Sequence, residues 1–214
     1  MFVGIVLLLL VAWRYWPRDD ATELAASPDP GVRAEVAAKL AQAPRKSQLP
    51  LLRDLAGDTS TEVALLAVGG IRPVGSAQLD EDSKAALGVL MADTDRDPLV
   101  RAAAAAQLGL FGDTDPQVLG SRMLDANEHS AVRAGAALGL GRLKKPESVP
   151  SLYNALRDRN PEVRARAMTA ISNICLTHFR YDAAKPPEQQ EENIRFIGQH
   201  LRKLGLLDTP SSNP

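Results

Sequence analysis

A valine followed by an arginine, a few residues into an apolar run, recurs along this chain at near-constant spacing. The valines are Val32, Val63, Val100, Val132 and Val163, at intervals of 31, 37, 32 and 31 residues. Arginine comes next as Arg33, Arg101, Arg133 and Arg164, and only Ala64 departs from it. Three positions before each valine stand Asp29, Ser60, Asp97, His129 and Asn160. Four of these are residue types whose side chains accept from the orphan amides of a first helical turn. His129 is a poor cap on this count, and Ser130 beside it is the better candidate. Pro30, Pro98 and Pro161 succeed their caps directly, at the helical position where a missing N–H costs nothing.

The residues after each pair are apolar and small, as in VRAAAAAQLGLFG and VRAGAALGLGRL. Alanine content and apolar spacing make these runs helices. Gly109, Gly112 and Gly141 fall where helix ends are expected. Between them lie second segments with leucine at helical spacing, such as SQLPLLRDLAG and ESVPSLYNALRD. A single helix pair of this kind cannot bury its apolar face, whereas a stack of pairs buries a continuous core. Aromatic residues are 4% of the chain, so that core is built from Ala, Leu and Val. The expected fold is all-α, an α-solenoid of about five helix pairs over residues 18–175.

A further column stands six residues before each arginine position: Ser27, Asp58, Asp95, Asn127 and Asp158. A polar loop residue this close to a helix-start arginine suggests a hydrogen-bonded ladder of Asp58, Asp95, Asn127 and Asp158 with Arg33, Arg101, Arg133 and Arg164. Ala64 interrupts it in the second repeat. With D-x-x-P-x-V-R followed by A-A-x-x-L-G, the chain resembles the HEAT-like repeats first described in phycobilin lyases. The resemblance implies a helical repeat protein with an Asp/Arg ladder as a structural joint.

Two segments depart from the pattern. The long interval before Val100 places an inserted loop in GGIRPVGSAQLDED, residues 69–82, a candidate contact surface. After residue 175, a helix from about Pro187 to Lys203 puts Ile194, Ile197, Leu201 and Leu204 on one face, suited to capping the stack over residues 176–206. Leu176, Thr177, Phe179, Tyr181, Asp182, Pro187 and Glu188 resemble a terminal segment of bacterial HEAT-repeat proteins, with His178 where Gly is usual. Residues 207–214 read as a disordered tail.

Residues 1–17 read as a separate element. MFVGIVLLLLVAW is apolar, with Phe2, Val3, Leu7, Leu8, Leu9, Leu10 and Trp13 as its membrane-facing residues. A spanning helix wants roughly 20 apolar residues, and here about 15 are reached only with interfacial Trp and Tyr. A short uncleaved anchor is the expectation, making a single-pass membrane protein. Arg14 and Arg18 would hold the solenoid on the cytoplasmic rather than the periplasmic side. A cleaved signal peptide is the competing reading, although no basic residue precedes Phe2 and bulky WRYWP fills the cleavage zone.

Chemistry is thinly supported. Net charge is −1 and the only basic cluster is Arg142, Lys144 and Lys145, so no nucleic-acid partner is expected. His129, His178 and His200 have no metal-ligand spacing, so no metal is expected, and no cofactor motif is present. Cys175 and His178 could meet at a helix end, but Cys175 sits in an apolar run where thiols are inert packing. The expected function is therefore non-enzymatic: a membrane-tethered scaffold or adaptor that binds an unknown protein partner on a solenoid surface. The alternatives are a phycobilin-lyase-like or ligand-carrier protein, as the resemblance implies, and a secreted or periplasmic binding module.

Overall fold

Prolines and short polar side chains set where the helices begin. The computed structural model describes residues 18–74 and 81–208. Among them are eleven α-helices: α1 (Arg18–Ala25), α2 (Pro30–Gln42), α3 (Leu49–Ala56), α4 (Thr61–Gly70), α5 (Glu81–Ala92), α6 (Pro98–Leu108), α7 (Pro116–Leu124), α8 (Ser130–Leu143), α9 (Val149–Ala155), α10 (Pro161–Cys175) and α11 (Glu191–Lys203). No strand occurs among the described residues. The architecture is an α-solenoid of stacked helix pairs in which α2, α4, α6, α8 and α10 carry the recurrent valine.

Caps explain the helix starts. Asp29 accepts from the Gly31 amide at 2.8 Å, Asp97 from Leu99 at 2.7 Å, and Asn160 from Glu162 at 2.9 Å. Each such cap contributes about 1 kcal/mol. His129, a poor cap by residue type, is nonetheless the N-cap of α8, its Nδ1 accepting from the Ala131 amide at 3.2 Å. Ser130 is instead the first helical residue. The imidazole nitrogen reaches the amide because His129 has the extended backbone of a cap.

The chain divides into two compact units, one up to Ile71 and one from Arg72 onward. In the first, α2 packs on α4 and both contact α3. Val36, Leu40, Leu52, Leu55, Val63, Val68 and Ile71 form its core. The expected loop at 69–82 is shorter than its composition suggests: Gly69 and Gly70 end α4, and Glu81 and Asp82 open α5. Gly70 serves packing, because a Cβ there would lie 2.9 Å from the Ala41 backbone.

In the second unit α6, α8 and α10 lie side by side, α8 touching both neighbours. The backbones of α6 and α8 approach so closely that small side chains are obligatory. A Cβ on Gly135 would come within 2.3 Å of the Ala102 carbonyl, and one on Gly139 within 2.5 Å of the Ala105 carbonyl. The residue after α6, Gly109, would meet the Gly139 carbonyl at 2.1 Å. Gly141, expected at a helix end, lies inside α8, whose last residue is Leu143 and whose C-cap is Lys144 at φ 53°.

After α10 the chain turns through Leu176 (φ 52°) and a 3-10 turn, Pro187–Gln189, before α11. Ile194, Ile197 and Leu201 are buried, but Leu204 is 50% exposed. The expected apolar stripe therefore ends one turn early, because Leu204 lies beyond the last helical residue, Lys203. Tyr153 of α9 donates to the Ile194 carbonyl at 3.2 Å, and Gly198 makes room for its hydroxyl. Arg157 pairs with Glu191 at 2.8 Å, and Tyr181 donates to the Leu156 carbonyl at 2.7 Å. These contacts tie α11 and the segment before it to α9.

The expectation of a single-pass membrane protein is corrected. Among the described residues no helix is long and apolar enough to cross a membrane. The longest, α10, has 15 residues, against the roughly 20 that a hydrocarbon core requires. The residues assigned to the anchor, from Phe2 to Trp13, lie outside the described residues.

The α6–α8 seam makes a direct prediction. Gly139→Ala forces a methyl against the Ala105 backbone and should cost about 1–3 kcal/mol, as overpacking does. Gly112→Ala, with nothing within 4 Å of the added methyl, should leave stability unchanged. Urea midpoints of the two variants check the contrast.

Candidate functional site

A buried guanidinium must find acceptors for its fork of N–H groups, and the recurrent arginine finds them in two directions. Arg33 donates from Nε and Nη2 to the two oxygens of Asp58 at 2.7 and 2.9 Å, while Nη1 reaches the Ser27 carbonyl at 2.8 Å. Arg133 repeats this, with Asp158 at 2.8 and 2.9 Å and the Glu128 carbonyl at 2.5 Å. Each of these two arginines thus joins the loop before its own helix to the loop that precedes the next valine-bearing helix. The carboxylates do double duty: Asp58 also accepts from the Ser60 amide and Asp158 from the Asn160 amide.

The other expected members are placed differently. Arg101 pairs with Glu128 at 2.5 Å, not with Asn127, which is exposed and only donates its backbone amide to Asp125. Amide side chains have no charge to offset a buried cation, and the neighbouring carboxylate takes the role. Arg122 reaches the same Glu128 oxygen at 3.1 Å. An acid one position off the column, where the column itself holds Asn, is the signal that would have found Glu128. Asp95 is exposed, and the arginine column one repeat earlier is Ala64. Arg164, at the last repeat, donates to the carbonyls of Ala183 and Lys185 and, through Nη1, to the carbonyl of Asp158. It fastens the segment leading to α11.

Burial disfavours ionisation of Glu128, but the His129 amide, Arg101 and Arg122 outweigh it, so its pKa lies below the ordinary carboxylate value. Cys175 and His178 are not brought together by any hydrogen bond or ring contact among the described residues. Burial raises the Cys175 thiol pKa above its ordinary value, which favours the protonated thiol over the nucleophilic thiolate. His178 is exposed, and His200 instead meets Phe179 edge-on, ring centroids 5.3 Å apart. Among the described residues no group of three His, Cys, Asp or Glu side chains could hold a metal.

A different set of residues forms a surface. Relative to each valine, positions −1, +2, +6 and +10 of the three stacked repeats fall on the same side, since α6, α8 and α10 pack in order. From α6 onward they are Leu99, Ala102, Ala106 and Leu110; on α8, Ala131, Ala134, Leu138 and Arg142. On α10 they are Glu162, Ala165, Thr169 and Asn173, with Arg166 beside them. Leu99 is 55% exposed and Leu110 38%, while Ala106 and Ala134 are buried at the bottom of the face. The face is therefore mostly small and apolar, with its charges confined to Arg142, Arg166 and Glu162. Sequence alone marks Arg142 only as part of a basic helix end and does not single out this face.

A family description of HEAT repeats matches residues 19–109 and 116–186. The chain belongs to the HEAT-repeat family. An engineered protein solved by a structural-genomics consortium is similar at 22% identity and a TM-score of 0.51, covering 90% of each chain. A designed armadillo repeat protein solved with the peptide (KR)4 is similar at 19% identity and a TM-score of 0.48, covering 91% of this chain and 92% of that one. No curated protein matches the sequence. The match is to HEAT repeats in general, and the finer likeness to those of phycobilin lyases rests on the sequence motif alone.

Two outcomes test the joint. Arg133→Ala leaves Asp158 largely buried without its cation and should cost about 3–5 kcal/mol in urea unfolding, whereas exposed Arg159→Ala should change it by less than about 0.5 kcal/mol. The stability due to the lowered Glu128 pKa is complete above the ordinary value of 4.5 and is lost as pH falls below it. Glu128→Gln should flatten that part of the pH profile.

Proposed function

We propose that this HEAT-repeat chain is a non-catalytic protein-interaction module that binds a partner on the face formed by α6, α8 and α10. The observation that carries the reading is the pattern of that face. Equivalent positions of successive repeats place alanine and leucine along it, with Leu99 at 55% and Leu110 at 38% exposure. Leu99 and Leu110 stand exposed toward the two ends of the α6 segment, with half-buried Ala102, Ala131, Leu138 and Ala165 beside them, and exposed apolar side chains of this kind support an interaction site. It is held stiffly, because glycine contacts lock α6 to α8 and the arginines join the repeats, so little ordering entropy is lost on binding. The Asp/Arg ladder is, on this reading, a structural joint that keeps the helices in register, and α11 covers the apolar end of the second unit.

The proposal is tested by crosslinking the full chain to proteins of its native extract, in parallel for wild type, Leu138→Glu and Val118→Glu. A stoichiometric partner should be recovered with wild type and with Val118→Glu, whose site lies on α7. It should be lost with Leu138→Glu. Equal recovery with all three would remove the face from the interaction.

A further inference from the structure

We propose that the outer face of α11 is a self-association surface, on which a second copy of this chain docks its own α11 antiparallel to the first. The proposal uses none of the residues of the α6–α8–α10 face and goes beyond the interaction reading above.

The two sides of α11 have opposite characters. Ile194, Ile197 and Leu201 are buried on one side, where Gly198 leaves room for the Tyr153 hydroxyl. On the other side Glu192, Phe196, Gln199 and Lys203 are all exposed. At about 100° per residue these four fall within about 60° of one another, a single stripe along the helix. Phe196 is 65% exposed, and it is the only exposed aromatic side chain among the described residues. A phenyl ring left in water forgoes one of the larger burial gains open to a side chain. Among the described residues Glu192 and Lys203 have no ion pair, whereas Glu191 beside them is held by Arg157.

Charge order along the stripe selects the occupant. It is acidic at the N-terminal end, aromatic and amide in the middle, and basic at the C-terminal end. Glu192 and Lys203 lie equally far from the midpoint of the stripe, and so do Phe196 and Gln199. Turned end for end, the stripe is therefore its own complement. Glu192 of each copy meets Lys203 of the other, and each Phe196 lies against the other's Gln199. This is the isologous contact of a two-fold dimer, in which one patch serves both copies. Antiparallel pairing also sets each helix's positive end beside the other's negative end. A parallel copy would oppose Glu192 to Glu192 and Lys203 to Lys203. A segment of one charge sign would match one end of the stripe and be repelled at the other. Arg195, the other exposed charge of α11, sits at the margin, about 70° from the centre of the stripe, where its long side chain extends into solvent.

Size sets the strength. With 13 residues, α11 offers a strip about 20 Å long. Such a strip falls well short of the roughly 800 Å² that each partner gives to a standard interface. Association is therefore weak, with a Kd on the order of 100 μM.

Sedimentation velocity of the full chain, from about tenfold below that Kd to about fivefold above it, reads the equilibrium directly. Wild type should pass from monomer to dimer across the range. Phe196→Asp should weaken the dimer at least about tenfold, and Glu192→Lys or Lys203→Glu alone about fivefold. Mixed in equal amounts, the two charge-reversed chains should associate about as tightly as wild type, because each supplies the sign that the other lacks. All three positions are exposed, so thermal melts of the variants should coincide with that of wild type. A wild type that stays monomeric throughout, a dimer that survives Phe196→Asp, or reversed chains that fail to associate when mixed would each overturn the proposal.

Discussion

The guanidinium at the start of a Val-Arg helix, buried at Arg101, Arg133 and Arg164, is the constraint on which the rest of this structure depends. Arg133 is 1% exposed and Arg101 4%, and a cation taken that far from water is tolerated only when its N–H groups find acceptors. For Arg33 and Arg133 those acceptors lie both in the loop before the arginine's own helix and in the loop before the next valine-bearing helix. One side chain thus bridges two successive repeats at these positions.

That register makes the close packing possible. Gly135 and Gly139 oppose Ala102 and Ala105 with no room for a methyl, a fit that tolerates no slip along the helix axes. Dispersion contacts between backbones at such short range stand in for the aromatic bulk that the composition lacks. Ala102 belongs both to this seam and to the outward face of α6.

Much of the architecture was legible because helix signals are local. Asp29, Asp97 and Asn160 cap helices whose first residues are Pro30, Pro98 and Pro161, and cap, proline and valine lie within four residues of one another. Less legible was what each residue meets across space. Asn127 stood in the right column, yet Glu128 takes Arg101, because a carboxylate one position away reaches the cation and an amide cannot neutralise it. His129 caps a helix against its type's preference, and Gly141 sits within a helix because Ala170 of α10 crosses there, 3.0 Å from where its Cβ would be. The apolar segment from Phe2 to Trp13 suggested a membrane protein, but none of the described helices can span one.

By itself the sequence determined that this protein is a series of helix pairs, where most of those helices start, and that the HEAT repeat is its unit. Those properties follow from backbone amides needing caps and from apolar side chains recurring at the helical period, both decided within a few residues. Only the tertiary structure decided which acid holds each arginine, which glycines are there for space, and that Arg142 of α8 reaches the Ala106 carbonyl of α6. These depend on distances between segments some 25 to 36 residues apart, which no local pattern encodes.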